Sequence, residues 1–273
     1  MTTAPLPEIR ESDATGTIAG LYAEIRAAIG VPMVNLVFRN MATVLGCLDW
    51  AWAHLRPLYA SGHVAAAAAN ITADPALRDV IHLPQSFAAT SVLSHRDIAA
   101  VGAAYAHANP MNLLGLFVIQ RLLDETAPAR SRSADPSTVT PRTFPTLPPM
   151  IDLKTAPAAT LALLDALARQ LHQGDNGVIP SLYRHFGAAP DVLKALKDAL
   201  DRPVADGRLF AAADRLHRAG AAAAEALYLK CPVLDLAPPS RDAAATLRHL
   251  IAIFPQNICR MTIVALALSR VAA

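Results

Sequence analysis

The chain matches itself when slid by 145 positions, and this register constrains the fold more than any single motif. Residue i laid over residue i+145 pairs RNMATVLGCL (39–48) with RHFGAAPDVL (184–193) and ASGHVAAAA (60–68) with ADGRLFAAA (205–213). With no change of offset, HRDIAAVGAAYAHANPMN (95–112) lies over SRDAAATLRHLIAIFPQN (240–257). Between residues 35 and 71 eight positions are identical: Arg39, Leu48, Leu55, Ala60, Gly62, Ala66, Ala67 and Ala68. Alanine matches arise easily in so alanine-rich a chain; a constant register with shared RD and PxN landmarks does not. The period is too long for a solenoid repeat. It predicts two copies of one helical unit facing each other about a pseudo-twofold axis, with a pocket at their seam.

Periodicity specifies helices. Ile18, Leu21, Ile25 and Ile29 fall on one face of residues 14–29, with Asp13 placed to cap them, and Leu161, Leu164, Leu167 and Leu171 do the same in 160–171. Alternating β-branched runs are missing. TAPARSRSADPSTVTPRTFPTLPP (126–149) has no sustained apolar period and reads as a surface linker. The expected architecture is therefore all-α: helical repeats over 9–125 and 150–273, packed as an intrachain pseudo-dimer and joined by the Pro/Ser/Thr-rich linker 126–149.

Composition narrows the partners. Hydrophobic residues make up 53% of the 273, and the mean hydropathy is +0.32, ample for a core. A formal charge of +2 with scattered arginines argues against nucleic acid. The alanine excess and only four lysines (Lys154, Lys194, Lys197, Lys230) fit a GC-rich bacterial genome. The N-terminal MTTAPLPEIRESDATG lacks the basic and apolar regions of a signal peptide, and the apolar tail run MTIVALAL (261–268) is short for a membrane span. A cytoplasmic protein with a small-molecule ligand and no membrane partner is expected; a homodimer stays open. Cys47, Cys231 and Cys259 form no CxxC and read as buried thiols. GxSxG, GxxxxGK[ST] and HxxxH are all lacking, so neither a metal nor a cofactor is called for.

The stretch AHANPMNLLGLF (106–117) carries a built-in control. Pro110 and Asn112 recur in the second half as Pro255 and Asn257, which reads as first-turn helix architecture. Asn109 does not recur: Phe254 stands opposite it. Asn109 is thus a helix cap or an amide that orients a ligand or water, since an amide donates and accepts at once. Arg39 and Arg184, shared by both halves, suit carboxylate partners across the seam or a substrate carboxylate. Arg96-Asp97 and Arg241-Asp242 follow Ser94 and Ser240 as helix starts, and Tyr105, Trp50 and Trp52 read as interhelix packing.

Several segments together resemble the group I (DehI-type) 2-haloacid dehalogenases, the halocarboxylic acid dehalogenase family. These are SDATGTIAGLYAEIRAAIGVPMVNLVFRNMAT, NPMNLL, LPPMIDLKTAPAA and PSLYRHFGAAPDVLKAL, in that order and spacing. The resemblance implies an all-helical pseudo-dimer and cofactor-free hydrolysis of 2-halocarboxylic acids, in which an aspartate activates water for direct displacement at the α-carbon. Carried over by position, the family's water-holding asparagine falls on Asn109, and the serine before its catalytic aspartate falls on Ser181. The aspartate falls on Leu182, and a pocket aromatic falls on Met33. Leucine accepts no proton, so the implied mechanism needs another base. His185, one turn from Leu182, is the nearest substitute, and Asp175 in QGDNG is a second. Leu36 and Val37, the latter opposite Leu182 in the repeat, complete the expected pocket wall. The alternative is a homologue that binds a small apolar or carboxylate ligand in the inter-repeat pocket without dehalogenating it.

Overall fold

A computed structural model describes residues 6–84, 86–87, 89, 91–124, 144–172 and 178–271. Eleven α-helices and one short 3-10 turn make up the regular structure of these residues, and no strand occurs among them. Helices α1 (Gly16–Ile29), α2 (Leu36–Met41), α3 (Cys47–Ala60), α4 (His63–Ile71), α5 (Pro75–Arg78) and α6 (His95–Leu122) come first. Then follow α7 (Ala158–Leu171), α8 (Ser181–Arg184), α9 (Pro190–Ala205), α10 (Arg208–Lys230) and α11 (Arg241–Leu268). Helices α2 and α8 begin at Leu36 and Ser181, and α4 and α10 at His63 and Arg208, each pair 145 positions apart. Most of the linker and Asp175 lie outside the described residues; Phe144–Pro149 has no regular structure.

Local chemistry explains where the long helices start. In α6 the Ser94 hydroxyl accepts the Asp97 N–H at 3.1 Å, while the Asp97 carboxylate accepts the Ser94 N–H at 3.3 Å. This reciprocal capping satisfies two of the donors that a helix start leaves free. Ser240 caps α11 similarly, accepting the Ala243 N–H at 3.2 Å. The first helix differs from expectation: Asp13 does not cap it. It sits in the 3-10 turn Glu11–Asp13, its carboxylate held by Arg10.

Pro110 and Pro255 also depart from expectation. Both sit in the interiors of 28-residue helices, not in first turns, and Asn109 is no cap. An interior proline removes one backbone hydrogen bond at a cost of about 3 kcal/mol. Against this, the nine consecutive residues 111–119 that follow Pro110 are all buried, and residues 257–259 and 261–268 after Pro255 are buried too. A single buried Leu or Phe side chain contributes about 1.5–3 kcal/mol, so tertiary burial outweighs the local break.

The two long helices cross at the centre of the molecule, with α10 packed on both. Gly102 permits the crossing, because a Cβ there would stand 2.4 Å from the Ser269 nitrogen and 2.6 Å from the Leu268 carbonyl carbon. Helix α11 is long and apolar enough to cross a membrane, with a mean hydropathy of 1.6 over its best window, yet 72% of that window is buried within the protein. Its apolarity belongs to the core.

Candidate functional site

A cavity of about 60 Å³ lies where the starts of α2 and α8 meet the middles of α6 and α11. Its walls follow the register of the sequence. Leu36 and Ser181, Val37 and Leu182, Asn109 and Phe254, and Asn112 and Asn257 are pairs 145 apart, and all eight residues line it. The volume holds a few waters, or a ligand of a few heavy atoms.

Breaking of that symmetry makes the cavity amphipathic. Asn35, Tyr105, Asn109, Asn112, Ser181 and Asn257 bring polar groups to its lining; Val178, Leu182, Phe254, Ile258 and Met261 bring apolar ones. Asn35 precedes α2 without capping it, and its amide instead donates to the Asn109 carbonyl oxygen at 3.4 Å. The remaining polar atoms of these amides, Asn35 Oδ1, Asn109 Nδ2 and Asn112 Oδ1, are buried with no hydrogen-bond partner. Asn257 is already engaged, donating to the Ile253 carbonyl of its own helix at 3.0 Å. Buried polar groups left unpaired cost about 1–3 kcal/mol each, so three amide atoms in one small cavity point to water or ligand.

Ser181 connects the cavity to a buried ion cluster. Its hydroxyl oxygen accepts from Arg39 Nη2 at 3.0 Å, which leaves the hydroxyl proton free to donate. The Tyr105 hydroxyl lies next to Ser181 but makes no hydrogen bond of normal geometry, and burial holds it protonated well above the ordinary phenol range. Behind Ser181, Glu8 bridges the two repeat-related arginines, 2.8 Å from Arg39 Nε and 2.9 Å from Arg184 Nη1.

Two extended straps, residues 6–9 and 147–151, cover these arginines in equivalent ways. The Ile9 N–H donates to the Arg39 carbonyl at 3.1 Å, and the Ile151 N–H to the Arg184 carbonyl at 2.9 Å. The Asn40 amide donates to the Pro7 carbonyl at 2.7 Å, and His185 Nδ1 meets the Pro148 carbonyl at 2.5 Å. A carbonyl only accepts, so the His185 proton sits on Nδ1, and Nε2 carries a lone pair with no partner. Burial pushes the His185 pKa down to about 4, outweighing the Pro148 hydrogen bond, and the nearby Arg39 and Arg184 push the same way. His185 thus does in one half what Asn40 does in the other.

Of the expected site residues, Leu36, Val37, Asn109, Ser181 and Leu182 line the cavity together. Met33 is buried in the core but does not line it; Val178, its counterpart 145 positions on, does. His185 is likewise off the lining, its ring edge-on to Tyr105 with centroids 5.6 Å apart. Arg39 and Arg184 find their carboxylate in the N-terminal strap. Tyr105 was legible as more than packing, since it stands one turn before Asn109 on the same face; Asn35 carried no comparable signal. Among the described residues no carboxylate and no imidazole lines the cavity. Among the described residues no three His, Cys, Asp or Glu side chains come together as a metal site.

No family model and no curated protein matches the chain. Solved structures do. A D-2-haloacid dehalogenase mutant aligns at 17% identity with a TM-score of 0.76. A D-2-haloacid dehalogenase mutant in complex with D-2-CPA aligns at 18% identity and 0.76, and D-2-haloacid dehalogenase with L-LA at 17% and 0.74. Each alignment covers 98% of this chain and 96% of the other. At that identity the likeness establishes a common architecture: this chain has the all-helical fold of the D-2-haloacid dehalogenase structures.

Proposed function

We propose that the protein binds small carboxylic acids in the cavity between α2 and α8 and does not hydrolyse 2-haloacids by carboxylate-activated water. The observation that carries this reading is the cavity lining: the free Asn109 Nδ2 donor and a hydroxyl backed by Arg39, with no carboxylate or imidazole among the described lining residues. Displacing a halide with water releases one proton along with the halide, and a base in contact with that water must take it. The resemblance carries the family's aspartate to Leu182, whose buried hydrocarbon faces the cavity. What remains suits binding. The Asn109 amide, the Tyr105 hydroxyl and the Ser181 hydroxyl can donate to a carboxylate, while Phe254, Ile258 and Met261 offer an apolar wall to its substituent. The solved structures of this fold include complexes with D-2-CPA and with L-LA, so a small acid is the ligand class with a precedent in the architecture. The matched helices are read, within the same proposal, as two copies of one unit whose seam forms the cavity.

A second reading keeps the hydrolysis and gives the proton to His185, and the unpartnered Nε2 lone pair favours it. It asks a ring off the cavity lining, with lowered basicity, to act through its neighbours.

Incubation with D- and L-2-chloropropionate, following halide release and heat of binding together, separates the two. Binding of an enantiomer without halide release is the expected result. Halide release that His185→Asn abolishes would establish the second reading, and no binding of either enantiomer would overturn the first. Leu182→Asp brings a carboxylate to the lining that Asn109 shares and is expected to produce halide release where the parent protein has none.

A further inference from the structure

The ion cluster behind Ser181 does not balance. The Arg39 and Arg184 side chains are 2% and 7% exposed, and between them stands one carboxylate, Glu8, at 17%. The other acids nearby serve other cations. Glu11 is 2.6 Å from Arg26 and also accepts the Val34 N–H. Asp13 and Asp152 share Arg10, and all three are more than a third exposed, so solvent screens them. Among the described residues the buried part of the cluster therefore holds two cations and one anion. An unmatched buried cation is expensive unless dipoles or a counter-anion face it.

We infer that Arg39 and Glu8 set the charge preference of the cavity: Arg39, acting through Ser181, favours an anion over a neutral molecule of the same shape, and Glu8 moderates that preference. The inference rests on the proposed ligand cavity and adds what selects the ligand. The path is short. Arg39 Nη2 donates to Ser181 Oγ at 3.0 Å, so the hydroxyl is polarised by a full charge and its own proton is free. The Tyr105 hydroxyl and Asn109 Nδ2, on residues that line the same cavity, are buried and without acceptors, while Asn35 Oδ1 and Asn112 Oδ1 are buried acceptors without donors. Three donors backed by a surplus positive charge are completed by a short-chain anion. A neutral isostere such as propionamide offers one acceptor oxygen in place of two and leaves the surplus charge unanswered. Glu8 already consumes part of the field of both arginines, so it acts as a resident competitor. Arg39 and Glu8 touch no ligand in this arrangement; they are positioning residues.

The test is the ratio of affinities for propionate and propionamide, measured by calorimetry on the full chain. The parent protein is expected to favour propionate. Glu8→Gln, nearly isosteric and still able to accept from either guanidinium, is expected to raise the propionate-to-propionamide ratio by about tenfold, the scale of one charge-assisted contact at low effective dielectric. A gain of selectivity cannot come from misfolding. Arg39→Met is expected to lower the ratio by a similar factor. A parent that binds propionate with a ratio unmoved or lowered by Glu8→Gln would overturn this inference and leave the proposed ligand class standing. A parent that binds neither compound would overturn both.

Discussion

The equivalence of His185 and Asn40 makes a quantitative prediction for the substitution His185→Asn. In the first strap an asparagine amide donates to the Pro7 carbonyl; in the second a histidine donates to the Pro148 carbonyl. An asparagine at 185 can keep that bond, so at neutral pH the variant is expected to lie within about 1 kcal/mol of the parent in stability. The two proteins should separate in acid. The folded-state pKa of His185 is lowered to about 4, while the unfolded chain has the ordinary value near 6.5. Between those values the unfolded chain binds a proton that the folded one does not, so stability is fully present above about pH 6.5 and is lost as pH falls toward 4. Over that window the linkage amounts to about 3 kcal/mol. The ring is 4% exposed, so solvent does little to reduce it. Urea unfolding followed by circular dichroism between about pH 7 and pH 4 should show the parent losing about 3 kcal/mol more than the variant. The two stability curves should therefore cross, with His185→Asn the more stable protein at the acid end. Parallel curves would refute both the neutral buried imidazole and its equivalence to Asn40.

Gly102→Ala should destabilise the protein by about 2 kcal/mol net. The new Cβ meets the backbone of Leu268 and Ser269, and overpacking of about 1–3 kcal/mol or more exceeds the roughly 1 kcal/mol of helix propensity gained; an unchanged urea midpoint would refute the close crossing of α6 and α11. All three thiols are buried, and burial pushes the Cys47 pKa up to about 12 and that of Cys259 higher still. A thiol reagent at about pH 8 should therefore label none of them in the native protein and all three in denaturant, and fast native labelling at any one would count against the packing described.

Much of the fold was legible because it is written in short-range periodicity. Apolar residues at three- and four-residue spacings announce α1 and α7, and the serines at 94 and 240 announce the starts of α6 and α11. The prolines misled. Pro110 and Pro255 read locally as helix starts, since the cost of an interior proline is a local quantity, whereas the burial that overrides it comes from helices distant in the sequence. At the site, the comparison of the halves singled out Asn109, which lines the cavity, and His185, which does not. A histidine nitrogen and an asparagine amide make the same hydrogen bond to a strap carbonyl, so residue identity changed while the geometry did not.

Sequence alone determined that the chain is helical, because the helical period is a property of order along the chain. Only the tertiary structure decided that Asn35, Tyr105 and Ser181 line one cavity with Asn109 and that Glu8 sits between Arg39 and Arg184. Those groups are separated by up to about 180 positions, and their chemistry is set by burial. In water the amides would be solvated and the arginines screened; inside the protein the amides keep one unpaired donor and two unpaired acceptors close to the buried arginines.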